Sequence, residues 1–235
     1  MFYPFKVPHL ARLILGGFIW KINHTEKKIY LTFDDGPVPE ATPWVLRQLE
    51  KYDARATFFC VGENIDKHPH TYDLLLKAGH TPANHTYNHL RGTSVSTQEY
   101  LDNVWKAERL IGTRLFRPPY GRITLGEYRA LKKDFRIVLS DVLIGDFDPS
   151  KKSTLLTRKA FNNIDDGSIV LFHDSIKTMP RTRYVLPSVL REFSEQGYTF
   201  CALAPYSDDL YRYVIPTGEY TIITPIYYIF YTLEQ

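Results

Sequence analysis

The sequence predicts an α/β fold of parallel strands joined by crossover helices, and three observations lead there. Apolar runs of strand length alternate with segments whose apolar residues recur at helical spacing. Strand-like runs end in ionisable side chains, as Asp34-Asp35 after Ile29 to Phe33 and His173-Asp174 after Ser168 to Phe172. The length, 235 residues, suits one large domain, and α/β barrels of that size are commonly single domains. In such barrels the active site lies at the C-terminal ends of the strands. The strand ends therefore read as one site.

The first strand, Ile29 to Phe33, runs into Thr32-Phe33-Asp34-Asp35-Gly36-Pro37. Adjacent residues point in different directions as a chain leaves the pleat, so one Asp is free to bind a metal and the other to take a proton. The competing reading is an Asp-Gly turn with two solvated carboxylates. Residues 40–52 carry Val45, Leu46 and Leu49 at helical spacing, with Pro43 in the first turn. Residues 56–61 read as the second strand. Residues 64–78 read as one helix containing Leu74, Leu75 and Leu76 and stopped by Gly79.

Asn84-His85-Thr86-Tyr87-Asn88-His89 follows. On one helical turn, residues four apart face the same way, so His85 and His89 would reach one cation. Zinc favours such pairs completed by a carboxylate, and the strand-end Asp supplies one. Residues 96–112 form the next predicted helix. Phe116 to Gly121 is a stiff loop whose two prolines fix where Arg117 and the Tyr120 amide point; a plain barrel loop with Arg117 in a salt bridge is the alternative. Residues 128–133 predict a short helix, and 136–139 a strand leading to Asp141, Asp146 and Asp148. Residues 154–164 and 185–196 predict helices around the strand 168–172, and 198–204 the last core strand.

Net charge of +3 is too small to argue for nucleic acid or an anionic membrane. The 17 Tyr and 14 Phe fill the core first, with a sugar-binding cleft as the functional alternative. Cys60 and Cys201 lie in apolar runs and read as buried free thiols, compatible with a reducing compartment. The apolar stretch from Leu13 to Trp20 is short for a membrane span and lacks a clear cleavage site, which favours the cytoplasm over an uncleaved anchor. Three regions are expected: an N-terminal segment over 1–27 packing on the domain, the domain itself over 28–205, and a C-terminal extension over 206–235. The extension, rich in Ile and Tyr, reads as a strand or packing segment, with a dimer contact or substrate-facing lip as the alternative.

Four motifs in order carry a resemblance: Thr32 to Pro37 (TFDDGP), His85 to His89 (H-T-x-x-H), Arg117 to Gly121 (RPPYG) and a strand with His-Asp, Ile169 to Asp174. Over residues 28 to 204 the sequence resembles the polysaccharide deacetylase (NodB-homology) domain of the carbohydrate esterases. The resemblance implies a distorted (β/α) barrel of about seven parallel strands with outer helices. It implies metal-dependent deacetylation of N-acetylated sugars of the chitooligosaccharide or peptidoglycan type. Asp34 would be the general base, His173 the general acid, Arg117 the counter-charge to Asp34 and Asp146 the group that orients His173. Asp35, His85 and His89 would hold a divalent metal, with Zn²⁺ expected, and the Tyr120 amide would join it as an oxyanion hole. The expected partner is an acetylated glycan. Departures are Phe147 and Ser140 where the family has tryptophans, and His80-Thr81-Pro82-Ala83 before the second motif. Phe147 keeps a hydrophobic wall. An O-acetyl esterase on xylan-like polymers and a silent carbohydrate-binding module are the competing functions; loss of Asp34 or His173 would favour the module, and both are present.

Overall fold

The computed structural model describes residues 5–8, 17–22 and 26–204. Its central strand, β1 (Lys28–Asp34), is buried from Ile29 onward, as expected of a parallel strand covered on both faces. Around it lie β2 (Thr57–Cys60), β3 (Thr81–Asn84), β4 (Leu115–Phe116), β5 (Arg136–Ile137), β6 (Val142–Leu143), β7 (Ile169–His173) and β8 (Thr199–Phe200). The sheet order is β5-β4-β3-β2-β1-β7-β6, with β8 on the start of β1, and these strand pairs are all parallel.

The outer strands β5 and β6 sit at opposite ends of that row. Only four residues lie between Ile137 and Val142, a reach of roughly 17 Å. The row must therefore curl, and it makes a partly closed barrel. The N-terminal segment lies along the opening. Ile19 bridges beside Val138 and Lys6 beside Val142, and Ile22 N–H donates to the Gly167 carbonyl at 2.9 Å. A Cβ on Gly167 would stand 1.7 Å from the Ile22 oxygen, and its φ is +76°. Glycine is required there.

Period-two alternation splits each central strand between two cores. Ile29, Leu31 and Phe33 of β1, with Phe58 and Cys60 of β2 and Val170 and Phe172 of β7, pack outward against the helices. Phe33 stacks on Phe58 at 4.9 Å and on Phe172 at 5.7 Å, its register partners, contacts that add about 0.5–1.5 kcal/mol each beyond burial. Tyr30, Phe59, Leu115, Val138, Ile169 and Leu203 form the inner core. Asp34 and His173, paired in register, continue the inner face at its C-terminal end.

The helices are α1 (Thr42–Glu50), α2 (Gly62–Lys67), α3 (Pro69–Lys77), α4 (Thr97–Ile111), α5 (Leu125–Leu131), α6 (Ser153–Asn163) and α7 (Met179–Glu195). The single helix expected over 64–78 is two. Pro69 cannot continue a helix and disfavours the helical conformation of the residue before it, so His68 turns the chain at φ −134°, ψ 54°. The last helix begins six residues earlier than expected, with a proline in its first turn and Pro187 inside it. Strand β3 was not expected from Thr81-Pro82-Ala83-Asn84, nor β6 from Val142-Leu143. Cys60 is buried and Cys201 half-buried, both unpaired. Among the described residues no helix is long and apolar enough to cross a membrane. The readings for 206–235 lie outside the described residues.

Candidate active site

Arg117 is buried, 3% exposed, at the end of β4. Its Nη1 donates to Asp34 Oδ1 at 2.7 Å and to Thr32 Oγ1 at 2.8 Å. Its Nε and Nη2 donate to the carbonyls of Val138 and Leu139 at 3.3 and 3.1 Å, and the guanidinium lies 4.0 Å over the Phe59 ring. With Asp34 only 4% exposed, the pair is desolvated, and removing one partner from such a pair costs about 3–5 kcal/mol. Burial pushes the Arg117 guanidinium down, and Asp34 opposes that.

Asp35 has left the pleat with φ 81°, and its carboxylate faces away from Arg117 toward two imidazoles. His89 Nε2 is 3.3 Å and His85 Nε2 3.9 Å from Asp35 Oδ1, and His85 Nε2 is 3.8 Å from Asp34 Oδ2. Burial and then the Asp34 and neighbouring charges act on His85, with burial prevailing and its pKa pushed down to about 4. Burial works against ionisation of Asp35, yet the histidines around it hold its carboxyl well below the usual carboxylate range.

The ligand atoms of Asp35, His85 and His89 all lie within 4.8 Å of one another. A tetrahedral ion with bonds of about 2.0–2.1 Å needs donors about 3.3 Å apart, so the triad is set close to that spacing. His85 Nδ1 lies 2.8 Å from the Arg117 carbonyl. That contact puts the ring proton on Nδ1 and leaves the Nε2 lone pair facing the carboxylates, the arrangement a metal-binding imidazole requires. The donor set therefore fits a divalent cation.

The two histidines do not share a helical turn, contrary to the sequence expectation. Residues 85–89 form a loop in which Thr86 and His89 take φ 65° and 57°. Asn84 Oδ1 accepts the Thr86 N–H at 2.9 Å, Asn103 Oδ1 the Tyr87 N–H at 2.8 Å, and Thr86 Oγ1 the Leu90 N–H at 3.0 Å. Side-chain amides satisfy the backbone that a helix would have paired internally, so the loop folds back and brings the rings within 5.0 Å.

Across the site, His173 Nδ1 lies 2.8 Å from Asp146 Oδ1, while Asp146 Oδ2 accepts the His173 N–H at 2.8 Å and the Thr182 hydroxyl at 3.0 Å. Asp146 sits in the loop after β6 and is fully buried. Burial disfavours the imidazolium, but Asp146, with Asp35 and Asp34 behind it, outweighs burial and raises the His173 pKa to about 10. Phe147 meets the His173 ring edge-on at 5.5 Å. Tyr120, at φ 60° and 54% exposed, stands beside His89 with ring centroids 4.7 Å apart.

A family model described as polysaccharide deacetylase matches residues 21–134. A peptidoglycan-N-acetylglucosamine deacetylase of Bacillus cereus is 33% identical over 211 residues, covering 84% of this chain and 94% of that protein. The chain belongs to the polysaccharide deacetylase family. The peptidoglycan-N-acetylglucosamine deacetylase PgdA of Listeria monocytogenes is 31% identical over 83% of this chain, which spans 41% of that longer protein. The solved structure of the Bc1960 peptidoglycan N-acetylglucosamine deacetylase superposes with a TM-score of 0.76 at 26% identity, over 84% of this chain and 95% of that one. The curled parallel sheet is thus the fold of the polysaccharide deacetylases.

Two groups of this deacetylase-family site went unassigned in the sequence. Asp174, fully buried, accepts the Gly36 N–H at 3.0 Å and the Thr42 hydroxyl at 2.5 Å, and its own N–H donates to the Asp34 carbonyl at 3.1 Å. It ties the turn that carries Asp35 to β7 and to the start of α1. Burial pushes its carboxyl up to about 8. Thr182, on the part of α7 that the sequence reading omitted, holds Asp146. The signal for Asp174 was its place directly after the motif histidine; Thr182 had none, because a threonine on a helix has no pattern of its own.

Proposed function

We propose that the chain hydrolyses the acetamide of N-acetylated sugars in chitooligosaccharide- or peptidoglycan-type glycans, leaving a free amine and releasing acetate. The supporting observation is the pair of groups anchored by opposite charges that flank the histidine-rich triad: Asp34 on Arg117 and His173 on Asp146. The names of the similar deacetylases point the same way. Amide hydrolysis needs a base to take a proton from water and an acid to give one to the leaving nitrogen. Asp34, an acceptor held rigidly at the mouth of the inner face, is the base. His173, whose neighbours favour the protonated ring, is the acid. Asp35, His85 and His89 hold a divalent cation, Zn²⁺ being the expected one. When bound, such an ion supplies Lewis acidity toward the carbonyl oxygen and lowers the pKa of water. The Tyr120 backbone amide stabilises the charge that develops on the carbonyl oxygen, and Phe147 walls the acetyl group beside His173.

Acetate release from matched N-acetyl and O-acetyl oligosaccharides, with and without chelator, tests this reading. Release from the N-acetyl set that chelator abolishes and added Zn²⁺ restores is expected. Release from O-acetyl substrates alone would replace the function with that of an esterase. Release indifferent to chelator would remove the metal.

A further inference from the structure

Beside the triad lies a guanidinium that the proposed reaction does not use. Arg91 follows His89 by two residues, and its guanidinium carbon stands 4.7 Å from the centroid of the Tyr120 ring. That ring in turn touches His89. Arg91 is therefore two ring contacts from a metal-binding imidazole, on the solvent side of the site. Tyr120 is the residue whose left-handed backbone, at φ 60°, holds its side chain outward; a non-glycine residue in that region is uncommon and costs energy.

Among the described residues no carboxylate pairs with Arg91. The nearby candidate is Glu127, which lies against Gly92. Its Oε2 is engaged by the Thr124 N–H at 2.8 Å in the capping box of α5. Stacking on tyrosine leaves the edge of a guanidinium, with its fork of donors, free to bind. Arg117 is buried and committed to Asp34, and Arg181 Nε donates to the Asp146 carbonyl.

We propose that Arg91, laid on Tyr120, is a subsite for a carboxylate on the sugar adjoining the acetamido unit, so that the chain prefers an anionic acetamido glycan. This rests on the deacetylase reading above and names the substrate class for it. A bidentate guanidinium–carboxylate pair gives direction as well as attraction. It would set which sugar of the chain lies over the triad.

The test uses acetamido oligosaccharides differing only at the neighbouring unit. One carries a free lactyl-ether carboxylate, one bears that carboxylate as an amide, and one carries the carboxylate at the end of a short peptide. In the metal-loaded wild type, kcat/KM should favour a carboxylate over the amide, and raised salt should shrink the preference. Arg91→Gln should lower the carboxylate-to-amide ratio by about fivefold to tenfold, mostly through KM, and Arg91→Lys should keep part of it. Which carboxylate is favoured identifies its source. An unchanged ratio in Arg91→Gln, with acetate still released, overturns the subsite and leaves the deacetylase standing. Calorimetric binding to Asp34→Asn reads the subsite without turnover. If the wild type releases no acetate, the deacetylase reading fails, and binding with no carboxylate preference overturns the subsite separately.

Discussion

Asp34 and Asp35 are chain neighbours with separate partners, because one is the last residue of β1 and the other has already turned at φ 81°. Arg117 engages the first and His89 the second. Asp34→Asn should therefore abolish acetate release, a loss of at least 10²–10⁴-fold, while leaving zinc bound at wild-type stoichiometry. His85→Ala should lose both the metal and the activity. Elemental analysis beside an acetate assay separates the two, and substantial turnover by Asp34→Asn would remove it as the base. His173 provides a second check. Its raised pKa, near 10, means that the imidazolium's contribution to stability is complete below the ordinary value of about 6.5 and is lost as pH rises through about 10. In the metal-free protein, NMR should find the ring still protonated at pH 8. Asp146→Asn should shift that titration, and the alkaline limb of kcat/KM, to lower pH; an unmoved titration would mean that Asp146 only positions the ring.

Among the elements, the turn between β1 and α1 shows how local sequence and distant packing divide the work. The motif Thr32 to Pro37 identified the turn as chemical, yet nothing in it announced that Asp174, at the end of β7, would hold it. A Cβ on Gly36 would come within 2.2 Å of Asp174 Oδ2, so Gly36→Ala must displace one or the other. The expected outcome is a loss of about 1–3 kcal/mol in stability with zinc affinity lowered at least tenfold, read by urea melts and chelator competition. Wild-type affinity in Gly36→Ala would mean that the turn tolerates the shift. The same division explains what the sequence revealed. The pairing of His85 with His89 was legible as chemistry from residue type and spacing, but its geometry was not. The helical turn inferred from i, i+4 spacing is a loop, because Asn84 and Asn103 compete for the backbone N–H groups. Long strands such as β1 and β7 were legible from apolar length. Two-residue strands such as β6 were not, because too few residues remain to show alternation.

At the scale of the molecule, the site sits on a sheet that does not close by itself. Among the described residues, β5 and β6 carry their outer backbone bonds to the N-terminal segment: Ile19 N–H to the Ile137 carbonyl at 2.9 Å, Leu139 N–H to the Ile19 carbonyl at 2.8 Å, and Leu143 N–H to the Phe5 carbonyl at 2.9 Å. Lys6 and Lys21 then fasten that segment through Asp165 at 2.9 and 2.8 Å. These ion pairs are half exposed and contribute about 0–1 kcal/mol each, so the fastening is mainly backbone and apolar contact. The segment does for the barrel what a final strand would do, hiding a template for further pairing. A chain beginning at residue 26 would bare two strand edges at once, and bare edges recruit other chains. Such a chain should associate at micromolar concentration by light scattering, with the full chain monodisperse under the same conditions. Residues 5–8 and 17–22 thus act as an internal guard against polymerisation.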